Sequence, residues 1–187
     1  MTIPIFLLLI VVGLFAVSGL WLMGAYNGLV TFRQSVKNAW AQIDVQLKRR
    51  HDLIPNLVNT VKGYAAHEKE TFERVINARA RATSATSPAE VIKAEGELSS
   101  AIARLLAVSE SYPELKANQN FLSLQEELTS TENRVAYARQ FYNDNVTRLN
   151  TRMQTFPTVV IAGMFGFKEE PFFAAPSEDK EAPRVEF

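Results

Sequence analysis

Residues 36–64, VKNAWAQIDVQLKRRHDLIPNLVNTVKGY, decide the fold class of this chain. Its apolar positions are Val36, Trp40, Ile43, Leu47, Ile54, Leu57, Val61 and Tyr64. They recur mostly at steps of three and four, with one step of seven across Arg50. This spacing places them on one face of an α-helix and predicts the left-handed helix packing of coiled coils.

Pro55 lies inside this apolar stripe. A proline within a helix removes one backbone hydrogen bond and crowds the carbonyl four residues earlier, at a cost of about 3 kcal/mol. Either the helix kinks at Pro55, or Asp52 caps a new helix whose first turn contains the proline. We expect a kinked continuous helix, because the stripe keeps its phase across Pro55.

Further helices follow the stripe. Residues 83–88 predict a loop into a second helix, with Ser87 as its N-cap and Pro88 at its first position. A third long helix is predicted from the apolar spacing between Phe121 and Met153, and it should stop before Pro157. No stretch with the period of a β-strand interrupts this part. We therefore expect an all-α fold, with an antiparallel bundle of three or four long, coiled-coil-like helices.

An apolar run precedes the bundle. Ile5 to Met23 contains 19 residues and no charged side chain. About 20 helical residues cross a hydrocarbon core about 30 Å thick. Trp21 and Tyr26 lie at its exit, where aromatic rings favour the headgroup layer. A cleaved signal peptide would need a basic start, which residues 1–4 lack.

These features predict four segments. Residues 1–4 form a short extracytoplasmic N-terminus, residues 5–24 a retained transmembrane helix, and residues 25–168 a cytoplasmic helical bundle. This orientation follows from Arg33 and Lys37, because positive flanks stay in the cytoplasm. The chain would then be a single-pass protein of the bacterial inner (cell) membrane. Residues 169–187, with six acidic residues, predict a disordered acidic tail.

The apolar segment from Phe156 to Phe167 is too short to span a bilayer. It could cap the end of the bundle or lie in the membrane interface. We expect a cap, because interfacial helices usually carry a basic polar face and this run has none.

The sequence contains few residues in a pattern typical of a catalytic, metal-binding or nucleic-acid-binding site. With 20 basic and 20 acidic residues the net charge is zero, which disfavours nucleic-acid binding, and the absence of cysteine excludes disulfides and thiolate sites. His67 and Glu68 begin a zinc-protease pattern, but Thr71 stands where the second histidine ligand is needed. The basic cluster at residues 48–50 is interpreted as a solvated helix face. We therefore predict no catalytic site, metal, cofactor or small-molecule substrate.

Asparagine and glutamine are frequent at the edges of the stripes. Their repeated use predicts interhelical hydrogen bonds that fix helix register. A polar groove for a partner is the alternative. The residues are Asn38, Gln42, Asn56, Asn59, Asn118, Asn120, Asn133 and Asn143.

Several blocks of this sequence resemble the LemA family. The first block is RHDLIPNLV at residues 50–58, continued by VKGY at 61–64 and by His67-Glu68. The second runs from YPELKAN at residues 112–118 through TENR at 131–134, and the likeness continues to Gly166-Phe167. The resemblance implies a helical cytoplasmic domain on one anchor, an association with membrane organisation, and no catalytic residues that can be carried over.

These observations lead to a membrane-anchored helical scaffold or interaction protein that is not an enzyme. The alternative is a self-assembling membrane organiser or remodelling protein, and a catalytic role ranks last. The expected partners are the lipid bilayer, through the anchor, and a second protein or a further copy of the chain. Candidate interaction or structural residues are Asp52, Pro55, Asn56, Asn59, Tyr64, His67, Glu68, Lys116, Asn118, Asn120, Gln125, Glu132, Asn133 and Arg134.

Overall fold

The computed structural model describes residues 2–173, and their side chains from residue 7 onward. Within that range the chain is helical and contains no strand, which confirms the predicted all-α class. Residue 1 and residues 174–187, most of the predicted acidic tail, lie outside the described residues. The helices are α1 (Thr2–Lys62), α2 (Lys69–Ser84), α3 (Pro88–Ser109), α4 (Pro113–Lys116), α5 (Gln119–Gln154) and α6 (Thr158–Met164).

Helix α1 is continuous over 61 residues and contains both the apolar run and the stripe. It passes through Pro55 without ending, so no separate helix begins at Asp52. All residues from Leu7 to Gly24 are exposed, and burial begins at Ala25. Among the helices described, α1 alone is long and apolar enough to cross a membrane. An uncovered apolar helix of this length indicates a membrane anchor.

The predicted helix boundaries follow local chemistry. Ser87 accepts a hydrogen bond from the backbone N–H of Glu90, and the Glu90 carboxylate accepts one from the backbone N–H of Ser87. This capping box starts α3 with Pro88 at its first position, as predicted. Helix α5 ends at Gln154, before the Phe156-Pro157 pair.

The described chain forms two compact units, whose division falls within α1 and α5. The anchor unit comprises residues 2–41 and 141–172, and the central unit comprises residues 42–140 and 173. The core of the central unit contains the second half of the apolar stripe together with residues from α2, α3, α4 and α5. Its members include Ile54, Leu57, Val61, Phe72, Leu98, Ile102, Leu105, Leu115, Phe121 and Leu128.

Within the anchor unit, α1 and α5 run antiparallel. The rings of Trp40 and Tyr142 meet edge to face at 5.3 Å, and the chain that continues from α5 brings Phe165 to 4.8 Å from Tyr26. Residues 169–172, assigned by sequence to the acidic tail, return along α5. Asn150 donates to the carbonyl of Glu170 at 3.0 Å and accepts from its N–H at 3.1 Å.

Candidate functional site

A buried ionic cluster joins three helices of the central unit. Arg50 and His51 lie on α1, Glu95 on α3 and Glu132 on α5. Arg50 donates to Glu95 at 3.3 Å and forms an ion pair with Glu132 at 3.2 Å, and His51 Nε2 lies 2.6 Å from Glu95 Oε1. Arg50 is 3% exposed and Glu95 is fully buried, whereas the Glu132 side chain is 47% exposed at the edge of the cluster. Buried charges are tolerated when they are paired in this way, so the cluster fixes the positions of all three helices.

This cluster corrects the interpretation of residues 48–50 as a solvated helix face. Lys48 and Arg49 are exposed, but Arg50 is buried and also donates to Ser99 Oγ at 2.7 Å. Arg50 points inward because it occupies a position in the apolar stripe. The stripe steps by seven residues from Leu47 to Ile54, and a residue three after Leu47 lies on the same helix face.

A second arginine lies near the cluster. The guanidinium of Arg139 lies 4.6 Å from the centre of the Phe173 ring, a cation–π contact. Burial lowers the pKa of Arg139, and the negative charge of Glu132 acts in the opposite direction. Arg139 therefore lies within electrostatic reach of Glu132, Arg50 and Glu95.

Next to this cluster, a side chain supplies a hydrogen-bond donor that the backbone of α1 lacks. Pro55 has no N–H, so the carbonyl of His51 lacks its usual helical donor. Arg79 of α2 takes the donor's place, with its Nε 2.7 Å from that oxygen. The proline is thereby accommodated within α1, and its position is tied to α2.

A groove opens above the cluster between α3 and α5. Its volume is about 270 Å³, its floor contains Arg50 and Ser99, and its walls combine apolar and polar side chains. The apolar residues are Ile102, Ala103, Leu106 and Leu128, and the polar ones are Gln125, Thr129, Glu132 and Asn133. Three residues selected from the sequence, Gln125, Glu132 and Asn133, are thus brought together.

Four other selected residues form an exposed stripe on α1. Asp52, Pro55, Asn56 and Asn59 are all exposed, and their spacing places them on one helix face. Asn120, Asn133 and Arg134 on α5 are also exposed. The asparagines at 56, 59, 120 and 133 therefore face outward and are not positioned to form the internal register contacts that the sequence favoured.

The remaining selected residues lie at a helix cap, in a surface ion pair or in the turn before α2. Asn118 accepts from the N–H of Phe121 at 3.0 Å, which caps α5, and donates to the hydroxyl of Tyr64 at 2.9 Å. Lys116 pairs with Glu110 at the surface. His67 is exposed and Glu68 half-buried in the turn before α2. Within residues 2–173, no group of three or more potential metal ligands of the His, Asp and Glu types comes together.

Glu95, Ser99 and Arg79 were not selected from the sequence. Glu95 carried a usable signal, because it falls between Val91 and Leu98 on the buried face of α3. A carboxylate on an apolar face requires a buried partner. Arg79 had no comparable signal, because only the folded structure places it beside the carbonyl of His51.

Together, these features define an all-helical protein with one apolar N-terminal helix and a helical unit whose helices are joined by a buried ionic cluster. The model of the LemA family matches residues 39–187, so the chain belongs to the LemA family. It is similar to magnetosome protein MamQ 2 of Paramagnetospirillum magneticum, with 24% identity over 81% of this chain and 65% of the relative. Magnetosome protein MamQ of Magnetospirillum gryphiswaldense is 23% identical over the same shares of the two chains.

Protein LemA of Metamycoplasma hominis is 26% identical over 75% of this chain and 64% of the relative. The chain therefore spans slightly less than two thirds of the length of these relatives. Their names are not enzyme names.

Proposed function

We propose that this protein is a membrane-anchored adaptor that binds a segment of a second protein in the groove between α3 and α5. The observation that carries the proposal is the meeting of Gln125, Glu132 and Asn133 in one groove above a buried ionic cluster. Ionic and hydrogen-bond contacts of Arg50 hold the base of the groove, which is open to solvent and lined by both apolar and polar side chains.

The groove's chemistry fits a peptide segment. Ala103 and Leu106 provide accessible apolar surface for one or two side chains of the partner, and Ile102 and Leu128, each 7% exposed, complete the lining. The amides of Gln125 and Asn133 each carry a donor and an acceptor, which suit a backbone N–H and C=O. Such a mixture of an apolar centre and a polar rim is typical of protein interfaces.

The ionic cluster supports this role by holding the groove open in one shape. Arg50 contacts α3 through Glu95 and Ser99, and α5 through Glu132. A preformed groove loses less conformational entropy on binding than one that must be ordered by its partner. The cluster thus positions the groove and takes no part in chemistry.

Helix α1 determines where the partner is found. The proposed location is the bacterial inner membrane, with the N-terminus outside and the rest of the chain in the cytoplasm. Arg33 and Lys37 support this orientation, because both are exposed and basic and follow the apolar run closely. The partner would then be another protein of the inner membrane or of its cytoplasmic face.

Photo-crosslinking in intact membranes tests the proposal. A benzoylphenylalanine at position 133 probes the groove, and one at the exposed Lys69, which does not line the groove, serves as the control. We expect an adduct with another protein from position 133 and not from position 69. A dominant adduct with a second copy of the chain would replace the adaptor by the self-assembling organiser. Equal adducts from both positions would contradict a binding groove.

A further inference from the structure

The segment at residues 156–167, which contains α6 and is called here the α6 segment, exposes a series of large apolar side chains. Phe156 is 81% exposed and Met164 is 70% exposed. The exposed members are Phe156, Val159, Val160, Met164 and Phe165. So much uncovered apolar surface in a short segment marks a place where another apolar phase or molecule is bound.

The position of the α6 segment identifies the apolar phase. Phe165 and Phe167 pack on the ring of Tyr26, with centroid distances of 4.8 and 5.9 Å. Tyr26 lies three residues beyond Met23, the end of the apolar run, or about 4.5 Å along the helix axis. Burial of α1 begins at Ala25. The α6 segment therefore contacts α1 where the helix leaves its uncovered apolar stretch.

The α6 segment is fixed in this position. Gly166 adopts a left-handed conformation with φ of 67°, and the N–H of Phe167 donates to the carbonyl of Ala162 at 3.0 Å. This turn ends α6 and reverses the chain. Arg33 then holds Phe167, because its guanidinium lies 4.9 Å from the ring centre. One side of α6 is buried through Thr158, Ile161 and Ala162.

We propose that the α6 segment inserts its exposed side chains into the interfacial layer of the bilayer, so that the protein contacts the membrane at a second place besides α1. The uncovered run of α1 requires hydrocarbon around it, which puts the headgroup layer near Gly24 and Tyr26. Interfacial helices bury their apolar face about 5–10 Å into this boundary. Phe165 and Phe167, which pack on Tyr26, lie within that reach.

Basic residues next to the α6 segment fit the same location. The sequence favoured a cap on the bundle because residues 156–167 contain no basic face. The structure shows Arg152 and Lys168 exposed on either side of the segment, where they can contact lipid phosphates. The buried side of α6 does cap the anchor unit, and the exposed side is left for lipid. This inference depends on the bilayer anchor and not on a partner in the groove.

Depth measurement by spin labelling tests the inference on the full chain. The natural sequence contains no cysteine, so Met164→Cys and Phe156→Cys each give one labelling site. The matched control is Phe141→Cys, which is also an exposed aromatic position of the anchor unit, about 20 Å before the end of α5. Each protein is reconstituted in vesicles of phosphatidylethanolamine and phosphatidylglycerol, and collision rates with oxygen and with a water-soluble nickel chelate are measured.

We expect several-fold more oxygen collisions relative to nickel collisions at positions 164 and 156 than at position 141. Lipid dissolves oxygen and excludes the chelate. High nickel access at 164 and 156 would place the α6 segment in water and overturn the inference. Low access to both reagents would show a protein contact, such as a second copy of the chain, and would overturn it as well.

Discussion

Arg79 Nε donates a hydrogen bond of 2.7 Å to the carbonyl oxygen of His51, the acceptor that Pro55 leaves without a helical donor. A proline seven residues before the end of α1 is thereby matched to an arginine of a neighbouring helix. The pair explains how α1 continues through Pro55, and it locks α2 against α1 next to the buried ionic cluster.

Removing Arg79 should lower the free energy of unfolding more when Pro55 is present than when it is replaced by alanine. Arg79→Met leaves a partly buried carbonyl without a donor, so we expect the free energy of unfolding to fall by about 1–3 kcal/mol. In a Pro55→Ala background the alanine supplies the missing N–H, and the same change should cost clearly less. Urea unfolding of the four proteins in detergent, followed by circular dichroism, measures this coupling. Equal costs in both backgrounds would show that the two residues act independently.

The Arg50–Glu95 pair should matter far more than a similar pair at the surface. Glu95→Ala leaves a buried arginine without its main partner, and we expect a loss of about 3–5 kcal/mol. The matched control is Glu127→Ala, which breaks the exposed Arg49–Glu127 pair of 3.1 Å and should cost at most about 1 kcal/mol. Unfolding by urea compares the two variants. Similar losses would mean that Glu95 is not a structural anchor.

The capping box of α3 should make the free energy of unfolding depend on pH in the acid range. Hydrogen bonds from the backbone N–H groups of Ser87 and then Thr86 hold the pKa of Glu90 below its ordinary value of 4.5. Since the folded pKa is below the unfolded one, the stabilisation is present above pH 4.5 and is lost as the pH falls through the folded value. The stability difference between the natural protein and Glu90→Gln should therefore shrink on acidification. A difference that stays constant across this range would contradict the assignment.

Tyr142 should make the free energy of unfolding depend on pH in the alkaline range. Its hydroxyl donates to the carbonyl of Pro171 at 2.9 Å, and burial, followed by the charge of Glu170, raises its pKa above 10. The contribution is present below pH 10 and is lost as the pH rises through the folded pKa. Tyr142→Phe should cost about 1 kcal/mol at neutral pH and flatten the alkaline loss of stability. Tyrosinate absorbance and urea unfolding check both effects; an unchanged alkaline profile in Tyr142→Phe would assign the loss to another group.

The helical class and the helix boundaries at Ser87 and before Pro157 were predictable because they depend on local chemistry, whereas the break between α1 and α2 at residues 63–68 was not predicted. The stripe from Val36 to Tyr64, the cap at Ser87 and the stop before Pro157 each act within a few residues. The uncharged run from Ile5 to Met23 likewise indicates an anchor by length alone.

The ionic cluster was not predictable in the same way. Arg50 was interpreted as exposed because it adjoins two other basic residues, and burial prevailed because its position belongs to the apolar stripe. Its partners Glu95 and Glu132 lie 45 and 82 residues away, and Arg79 replaces a backbone donor that only the folded chain brings within reach. In the sequence, such long-range polar pairing is indicated at most by a carboxylate on an otherwise apolar helix face.

The central claim, that the groove between α3 and α5 binds another protein, is tested most directly by filling the groove. Ala103→Trp places a large ring at the exposed lining residue Ala103, while Ala89→Trp adds the same ring at an exposed position of α3 about 21 Å away. Crosslinking from position 133 is then quantified in membranes for both variants. We predict that the adduct with the partner disappears in Ala103→Trp and persists in Ala89→Trp. An adduct that survives unchanged in Ala103→Trp would contradict the account.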